Sequence, residues 1–115
     1  MRLLWYSFLI NNDGYTIERA IHGPEEAYND ITTWDHSHML QFLGARNGDK
    51  CTRQVRTKEE MEAVLDSAEY SQVSPSQIQL VEVFMDRLDI PWRLAKQIEI
   101  VNERMRKARG TGTTG

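Results

Sequence analysis

The sequence predicts an α/β fold built around a mainly parallel sheet. Strand-like and helical stretches alternate along the 115 residues in the order strand, helix, helix, strand, helix, strand, helix, which is typical of domains with parallel strands. Residues 3–10 are almost continuously apolar, as in strands that a parallel sheet buries on both faces. Two helices carry clear start signals, a capping box at residues 57–60 and a proline at position 91.

Composition and charge exclude several classes of function. The net charge is −3, whereas nucleic-acid-binding domains carry basic surfaces, so we expect no nucleic-acid partner. No stretch approaches the roughly 20 apolar residues of a membrane span. Cys51 is the only cysteine, so we expect a small core residue, no intrachain disulfide and a cytoplasmic, reducing setting. Four basic residues near the C-terminus suit the end of a helix: Arg104, Arg106, Lys107 and Arg109.

The second element, residues 15–22, is ambiguous in its periodicity. Tyr15, Ile17 and Ile21 lie on one face of a strand, whereas Ile17, Ala20 and Ile21 share one face of a helix. Residues 11–14 read Asn-Asn-Asp-Gly, a strong turn signal. If the element is a strand, these four residues are only the turn of a hairpin. If it is a helix, they lie at the carboxyl end of a parallel strand.

The remaining elements follow from caps and apolar spacing. Residues 34–43 predict a helix that ends at Gly44, and residues 50–56 a strand. Thr57 and Glu60 begin a helix with one apolar face, and a loop over residues 71–76 leads to a strand at residues 77–85. A helix begins at Pro91 and carries an apolar stripe. The stripe of this last helix comprises Leu94, Ile98, Val101 and Met105.

The turn at residues 11–14 is the strongest candidate for chemistry. Open parallel sheets bind ligands beyond the carboxyl ends of their strands, where Asn12, Asp13 and Gly14 would lie. Asparagine side chains and backbone carbonyls are oxygen donors of the type that Mg²⁺ accepts beside a phosphate. Glu18 would follow Gly14 by about one helical turn. By spacing alone, a plain hairpin turn is the alternative interpretation.

A resemblance to a known family favours the functional interpretation. Residues 10–18 read Ile-Asn-Asn-Asp-Gly-Tyr-Thr-Ile-Glu, which resembles the end of the thiamine diphosphate motif in pyruvate and indolepyruvate decarboxylases. The similarity continues through Ile-His-Gly-Pro at 21–24, Tyr-Asn-Asp-Ile at 28–31 and Trp-Asp at 34–35. It implies the thiamine-diphosphate-binding fold, as a partial three-layer α/β/α domain over residues 1–109. We expect residues 110–115, which are only Gly and Thr, to form a disordered tail.

The resemblance also implies roles for individual residues. Asn12 matches the Mg²⁺ ligand that acts through its side-chain oxygen, and Gly14 the ligand that acts through its backbone carbonyl. Asp13, Tyr15 and Ile17 match cofactor-binding positions, Ile17 beside the substrate pocket. Glu18, one helical turn beyond Gly14, matches the catalytic glutamate of the family. The implied cofactors are thiamine diphosphate and Mg²⁺, and the implied substrate is a 2-oxo acid resembling pyruvate.

Departures from the family predict that the chain alone is inactive. The family's motif opens with Gly-Asp-Gly, whose aspartate binds Mg²⁺, and no such tripeptide occurs in this sequence. His36 and His38 do not match the family's adjacent histidine pair, and two imidazoles without a third ligand make a poor metal site. We therefore expect the chain to need the remainder of a decarboxylase or a homo-oligomer. The alternative is a non-catalytic α/β module that retains the fold and binds partner subunits.

Overall fold

The computed structural model describes residues 6–71 and 77–110, and it confirms the α/β class. Residues 3–5 of the first predicted strand, most of the predicted loop at 71–76 and the tail at 111–115 lie outside the described residues. Short 3₁₀ turns occupy Ala27–Asn29 and His36–His38. In chain order the elements are β1 (Tyr6–Asn11), α1 (Thr16–His22), α2 (Met39–Phe42), β2 (Thr52–Val55), α3 (Lys58–Asp66), α4 (Ala68–Ser71), β3 (Gln79–Phe84) and α5 (Trp92–Gly110).

The chain divides into two compact units that interleave in sequence. The sheet unit comprises Met1–Asn12 and Thr32–Met85, and it contains all three described strands. The helical unit comprises Asp13–Ile31 and Asp86–Gly115, and it contains α1 and α5. The boundary between the units therefore falls inside the Asn-Asn-Asp-Gly turn.

The sheet is parallel, with the strand order β1-β3-β2. The central strand β3 is the most buried: Leu80 is 1% exposed and Val81 is fully buried. Register aligns Leu9 of β1 with Glu82 of β3 and with Gln54 of β2. The predicted parallel sheet is confirmed, and its central strand is the one that sequence placed at residues 77–85.

Each face of the sheet has its own apolar cluster. On one face Leu80 packs with Cys51 and Leu40, so the prediction that Cys51 is a small core residue is confirmed. On the other face Val81 and Val55 pack with Tyr70. Because β3 alternates its side chains between the faces, consecutive residues of one strand supply both clusters.

Helix α3 begins at the predicted capping box. The hydroxyl of Thr57 accepts a hydrogen bond from the Glu60 backbone N–H at 3.1 Å, and the Glu60 carboxylate accepts one from the Thr57 N–H at 3.3 Å. Met61 and Val64 of the predicted apolar face pack against the cluster around Val55, whereas Leu65 is 46% exposed. The helix ends at Asp66, and α4 begins two residues later.

The prediction that the first strand is buried on both faces is wrong for its described part. Side chains of β1 alternate between exposed and half-buried; Phe8 is 51% exposed and Ile10 is 55% exposed. Tyr6, on the same side, packs its ring on Tyr70 at 4.8 Å between centroids. The reason is position in the sheet: among the described strands β1 pairs only with β3, so the side chains that cover the central strand do not extend over β1.

Residues 15–22 are helical, which resolves the ambiguity left by their periodicity. Helix α1 occupies Thr16–His22, and β1 pairs in parallel with β3 instead of antiparallel with residues 15–22. The hairpin alternative is therefore wrong. The resemblance to the decarboxylases, and not the local spacing of apolar residues, predicted the correct element.

The predicted helix over residues 34–43 is shorter than expected. Trp34 is 68% exposed and precedes the 3₁₀ turn, so the predicted start of the helix at residue 34 is wrong. The Asp35 carboxylate accepts a hydrogen bond from the Ser37 N–H at 2.9 Å, and the turn begins at His36, two residues later than predicted. Helix α2 contributes Leu40 to the core, and Gly44 follows it with a φ of 88°, as the stop signal predicts.

Helix α5 of the helical unit matches its predicted start but not its predicted burial. It begins at Trp92, directly after Pro91, and it contains no fully buried residue. Leu94 and Ile98 are half-buried, whereas Met105 is 56% exposed. Its last turn carries Lys107 and Arg109, where the helix dipole favours cations. Within residues 6–71 and 77–110, no helix is long and apolar enough to cross a membrane.

The edge strand predicts self-association. Residues of β1 carry no charge, and an uncharged, half-exposed edge strand can pair with another chain. We expect sedimentation velocity to show concentration-dependent oligomers, and we expect the Phe8→Lys/Ile10→Lys double variant to reduce them because charge opposes edge pairing. The Val101→Lys variant on exposed α5 serves as the control. A monodisperse wild-type monomer across the concentration range would contradict the prediction.

Candidate functional site

The turn after β1 has a backbone shape that few residues adopt. Asp13 has a φ of 59° and Gly14 a φ of 140°, so two consecutive residues lie in a region that L-amino acids with side chains disfavour. Asn12 is half-buried just beyond the last residue of the sheet unit's β1. The strand ends before these two residues, and α1 begins at Thr16.

Gly14 is the tightest position of the turn. A Cβ atom there would lie 2.3 Å from the backbone oxygen of Asn29 and 2.6 Å from Nη2 of Arg19. Gly14 also forms an isolated antiparallel bridge with Asp30, and the Tyr15 N–H donates to the Asn29 oxygen at 3.0 Å. Only glycine fits, because both the φ angle and the neighbouring backbone exclude a side chain.

Arg19 holds this turn from within the helical unit, and sequence analysis did not single it out. Its side chain is fully buried, and its Nη2 donates to the Asp13 carbonyl at 2.9 Å and to the Asp30 carboxylate. Arg87 also donates to Asp30, at 3.0 Å. The hydrogen bond from Arg19 is the main cause that lowers the pKa of Asp30. Sequence marks position 19 only as a charged residue, but the Arg19 side chain holds the turn in place through these hydrogen bonds.

The side chains on α1 that the resemblance assigns to cofactor and substrate are open to solvent. Tyr15 is 58% exposed and Ile17 is 50% exposed. Glu18 lies in the first turn of the helix, and its half-exposed carboxylate contacts Nε2 of His22 at 3.3 Å. Ile17 and Glu18 are therefore accessible, as residues that face a substrate need to be.

The donors at the turn fit Mg²⁺ in type, but they carry no charge. The side-chain oxygen of Asn12 and the backbone carbonyl of Gly14 are oxygen donors, the kind that Mg²⁺ prefers. Both are neutral, and Mg²⁺ sites in proteins usually include one or two carboxylates. Among residues 6–71 and 77–110, no group of three His, Cys, Asp or Glu side chains is arranged to hold a metal ion.

A buried carboxylate, Glu82, is the main feature that sequence analysis missed. It lies on the central strand and is 1% exposed. Its Oε1 atom lies 2.8 Å from Nδ2 of Asn11 and 2.8 Å from Nδ1 of His36, and its Oε2 atom accepts from Nε2 of Gln54 at 2.8 Å. We call these four residues the Glu82 cluster. All four belong to the sheet unit.

The Glu82 cluster stabilises the ionised carboxylate. Burial by itself raises the pKa of Glu82, but hydrogen bonds from Asn11, His36 and Gln54 outweigh it and bring the pKa below its usual value. Since an ionised carboxylate has no proton to give, Nδ1 of His36 must be the donor. A depressed folded-state pKa adds stability above the usual pKa, and that stability is lost as the pH falls through the folded-state value.

One signal in the sequence could have identified Glu82. Residues 79–84 read Gln-Leu-Val-Glu-Val-Phe, a strand pattern with a single charge among apolar residues. A carboxylate in the central strand of a parallel sheet cannot reach solvent easily, so it needs hydrogen-bond donors. His36, which sequence placed in the predicted helix at residues 34–43, is one of those donors.

Curated proteins with similar sequences are pyruvate decarboxylases. Pyruvate decarboxylase isozyme 2 of Saccharomyces cerevisiae is 40% identical over 95 residues, which is 83% of this chain and 16% of that protein. The pyruvate decarboxylase of Aspergillus parasiticus is 45% identical over 87 residues, 73% of this chain and 15% of the relative. That of Candida glabrata is 38% identical over 95 residues. No protein-family model matches the chain.

Identity of this extent over most of the chain identifies its class. The chain belongs to the pyruvate decarboxylase family, and it spans about one-sixth of the length of the curated relatives that it matches. The resemblance found in the Asn-Asn-Asp-Gly segment is thereby confirmed. The roles of Asn12, Gly14 and Glu18 stay predictions.

Substitution of Gly14 tests the geometry of the turn. We expect Gly14→Ala to destabilise the protein more than Gly44→Ala. Both glycines have a positive φ, which costs alanine about 1–2 kcal/mol, but a Cβ at position 44 meets no atom within 4 Å. The measurement is chemical denaturation followed by circular dichroism. Equal losses for the two variants would show that the close contacts of Gly14 relax freely.

Proposed function

We propose that this chain is the C-terminal portion of a thiamine-diphosphate- and Mg²⁺-dependent 2-oxo acid decarboxylase, which converts pyruvate to acetaldehyde and carbon dioxide. We further propose that the chain alone does not turn over substrate. The observation that carries the proposal is the 36–45% identity to curated pyruvate decarboxylases. The turn at residues 11–14 and the start of α1 support it, because they present oxygen donors and a glutamate along one short segment.

In this proposal the turn holds the metal. Asn12 would contribute its side-chain oxygen and Gly14 its carbonyl to Mg²⁺, a metal whose chemistry suits the diphosphate of the cofactor. Asp13 and Tyr15 bind the cofactor beside these ligands. The fixed backbone around Gly14 supports this role, since Arg19 donates to the Asp13 carbonyl and the Asn29 backbone leaves no room for a side chain at position 14.

Glu18 and Ile17 serve the substrate in this proposal. The bound cofactor supplies the electron sink that decarboxylation of a 2-oxo acid requires. Glu18 holds or moves a proton at its carboxylate near the reacting group, and Ile17 lines the pocket with an apolar surface. The half exposure of both side chains supports access by a small acid.

The chain alone is expected to show no pyruvate decarboxylation, even with excess Mg²⁺ and thiamine diphosphate. The two metal donors are neutral, and Mg²⁺ releases its waters reluctantly without a charged ligand. The chain spans only 16% of its yeast relative, so groups in the rest of such an enzyme cannot assist. The assay couples acetaldehyde release to alcohol dehydrogenase, with free cofactor as the blank. Turnover above the blank that Glu18→Gln abolishes would refute the expected inactivity.

A chimeric enzyme tests whether the segment is competent in context. The matched segment of isozyme 2 from Saccharomyces cerevisiae is replaced by the corresponding residues of this chain. We expect the chimera to decarboxylate pyruvate, and we expect Glu18→Gln to lower kcat by about 10²- to 10⁴-fold, the usual contribution of a general acid–base group. The measurement is steady-state kinetics with the same coupled assay.

The matched control in the chimera is Glu62→Gln. Glu62 is also a helical glutamate, is 59% exposed and pairs with Lys58 four residues earlier, so its loss costs little. We expect this variant to retain the kcat of the chimera. A folded, cofactor-binding chimera without activity would favour the alternative, a module that retains the fold without catalysis.

A further inference from the structure

The Glu82 cluster reaches the chain segment that the proposed function uses. Leu9, Glu82 and Gln54 share one row of the sheet, and side chains two residues apart on a strand lie on the same face. Asn11 therefore lies diagonally opposite Glu82, within reach of its carboxylate, and its Nδ2 donates to Oε1 at 2.8 Å. The last residue of β1 is tied to a carboxylate that the sheet unit buries.

The backbone of Asn11 is fixed as well as its side chain. The Met85 N–H donates to the Asn11 carbonyl at 2.9 Å, which continues the β1–β3 ladder one residue past the end of β3. That carbonyl belongs to the peptide plane that joins Asn11 to Asn12. Two hydrogen bonds, one from the side chain and one to the backbone, therefore set the direction in which Asn12 leaves the sheet.

Stability alone does not account for a carboxylate in this place. A buried ion needs several well-placed partners, and an apolar residue of similar volume is often at least as stabilising. Leu80 and Leu40 already form an apolar cluster on this face, and a further apolar residue at position 82 would extend it. A carboxylate accepts three donors at once, which an apolar side chain cannot do.

We propose that Glu82 is a positioning residue for the paired asparagines. Glu82 accepts a hydrogen bond from the side chain of Asn11, so that side chain is occupied within the sheet. Asn12 is then the asparagine whose side chain is presented to Mg²⁺. The inference rests on the proposed function for its metal, but its structural part concerns only the orientation of Asn12. Gln54 and His36 complete the acceptor capacity of Glu82 and hold its carboxylate in place for Asn11.

The test uses the full 115-residue chain, isotope-labelled and kept below the concentration at which it self-associates. Side-chain couplings and nuclear Overhauser effects report the χ1 rotamers of Asn11 and Asn12 without any metal. We expect one rotamer for each in the wild type and rotamer averaging for both in Glu82→Gln. The amide that replaces the carboxylate there has one acceptor oxygen and adds donors of its own. The Thr57→Ala variant, which removes a helix cap from the same unit, should leave both rotamers unchanged.

A second variant keeps the test decisive if Glu82→Gln does not fold. Asn11→Ala retains the carboxylate with His36 and Gln54, and we expect it to release Asn12 in the same way. If Asn12 keeps a single rotamer in the folded variants, the positioning role is overturned. Averaging of Asn12 in Thr57→Ala as well would also overturn it, since loss of stability would then explain the effect.

Mn²⁺ distinguishes this inference from the proposed function. We expect added Mn²⁺ to broaden the side-chain amide signals of Asn12 more than those of Asn11 in the wild type, and we expect that preference to be lost in Glu82→Gln. If Mn²⁺ broadens neither asparagine in the wild type while the rotamers still depend on Glu82, the positioning role stands and the proposed metal site fails. A preference for Asn12 that persists in Glu82→Gln would overturn the positioning role and leave the metal site intact.

Discussion

The sheet unit depends on the need to satisfy a buried carboxylate. Glu82 is 1% exposed on the central strand, and a charge removed from water is costly unless several donors surround it. Its donors come from β1, from β2 and from the 3₁₀ turn at His36–His38. Each of these segments therefore has a fixed position relative to β3. A residue in the middle of one strand sets where three other segments lie.

The helical unit also buries a charged side chain, the guanidinium of Arg19, which likewise needs hydrogen-bond partners. Arg19 is fully buried and binds a backbone carbonyl and a carboxylate of its own unit, those of Asp13 and Asp30. Its Nε and Nη1 atoms have no hydrogen-bond partner among the described residues, which carries an energetic cost. The guanidinium lies where it would contact a Cβ atom at position 14, so a glycine there leaves it room.

The family relationship and the exposed strand β1 are consistent with each other. The chain spans 16% of the yeast decarboxylase that it matches, and β1 exposes apolar side chains at Phe8 and Ile10. An edge of this kind offers unpaired backbone groups to another strand. In the chain alone it is an uncharged surface, and this is the physical basis for expecting self-association.

Local sequence determined the helix ends that depend on caps, glycine stops and proline starts. The capping box of Thr57 and Glu60, the stop at Gly44 and the start of α5 after Pro91 depend on residues within one or two turns. The buried pattern of β3 likewise follows from consecutive apolar residues. For residues 15–22, periodicity alone left helix and strand open, and only the resemblance of residues 10–18 to a known motif favoured the helix. Sequence also selected the candidate site residues Asn12, Gly14 and Glu18, whose roles stay predictions.

Tertiary structure alone decided which side chains meet. Asn11, His36, Gln54 and Glu82 span 71 positions of the chain, and no local pattern joins them, because hydrogen bonds between strands depend on register. The exposure of β1 depends on its place at the edge of the sheet, not on its own apolar residues. The closeness of Gly14 to Asn29 likewise depends on how the chain returns past the turn. Interactions between residues close in sequence thus fixed the elements that carry clear caps and stops. Pairing between distant segments fixed the environment of the site.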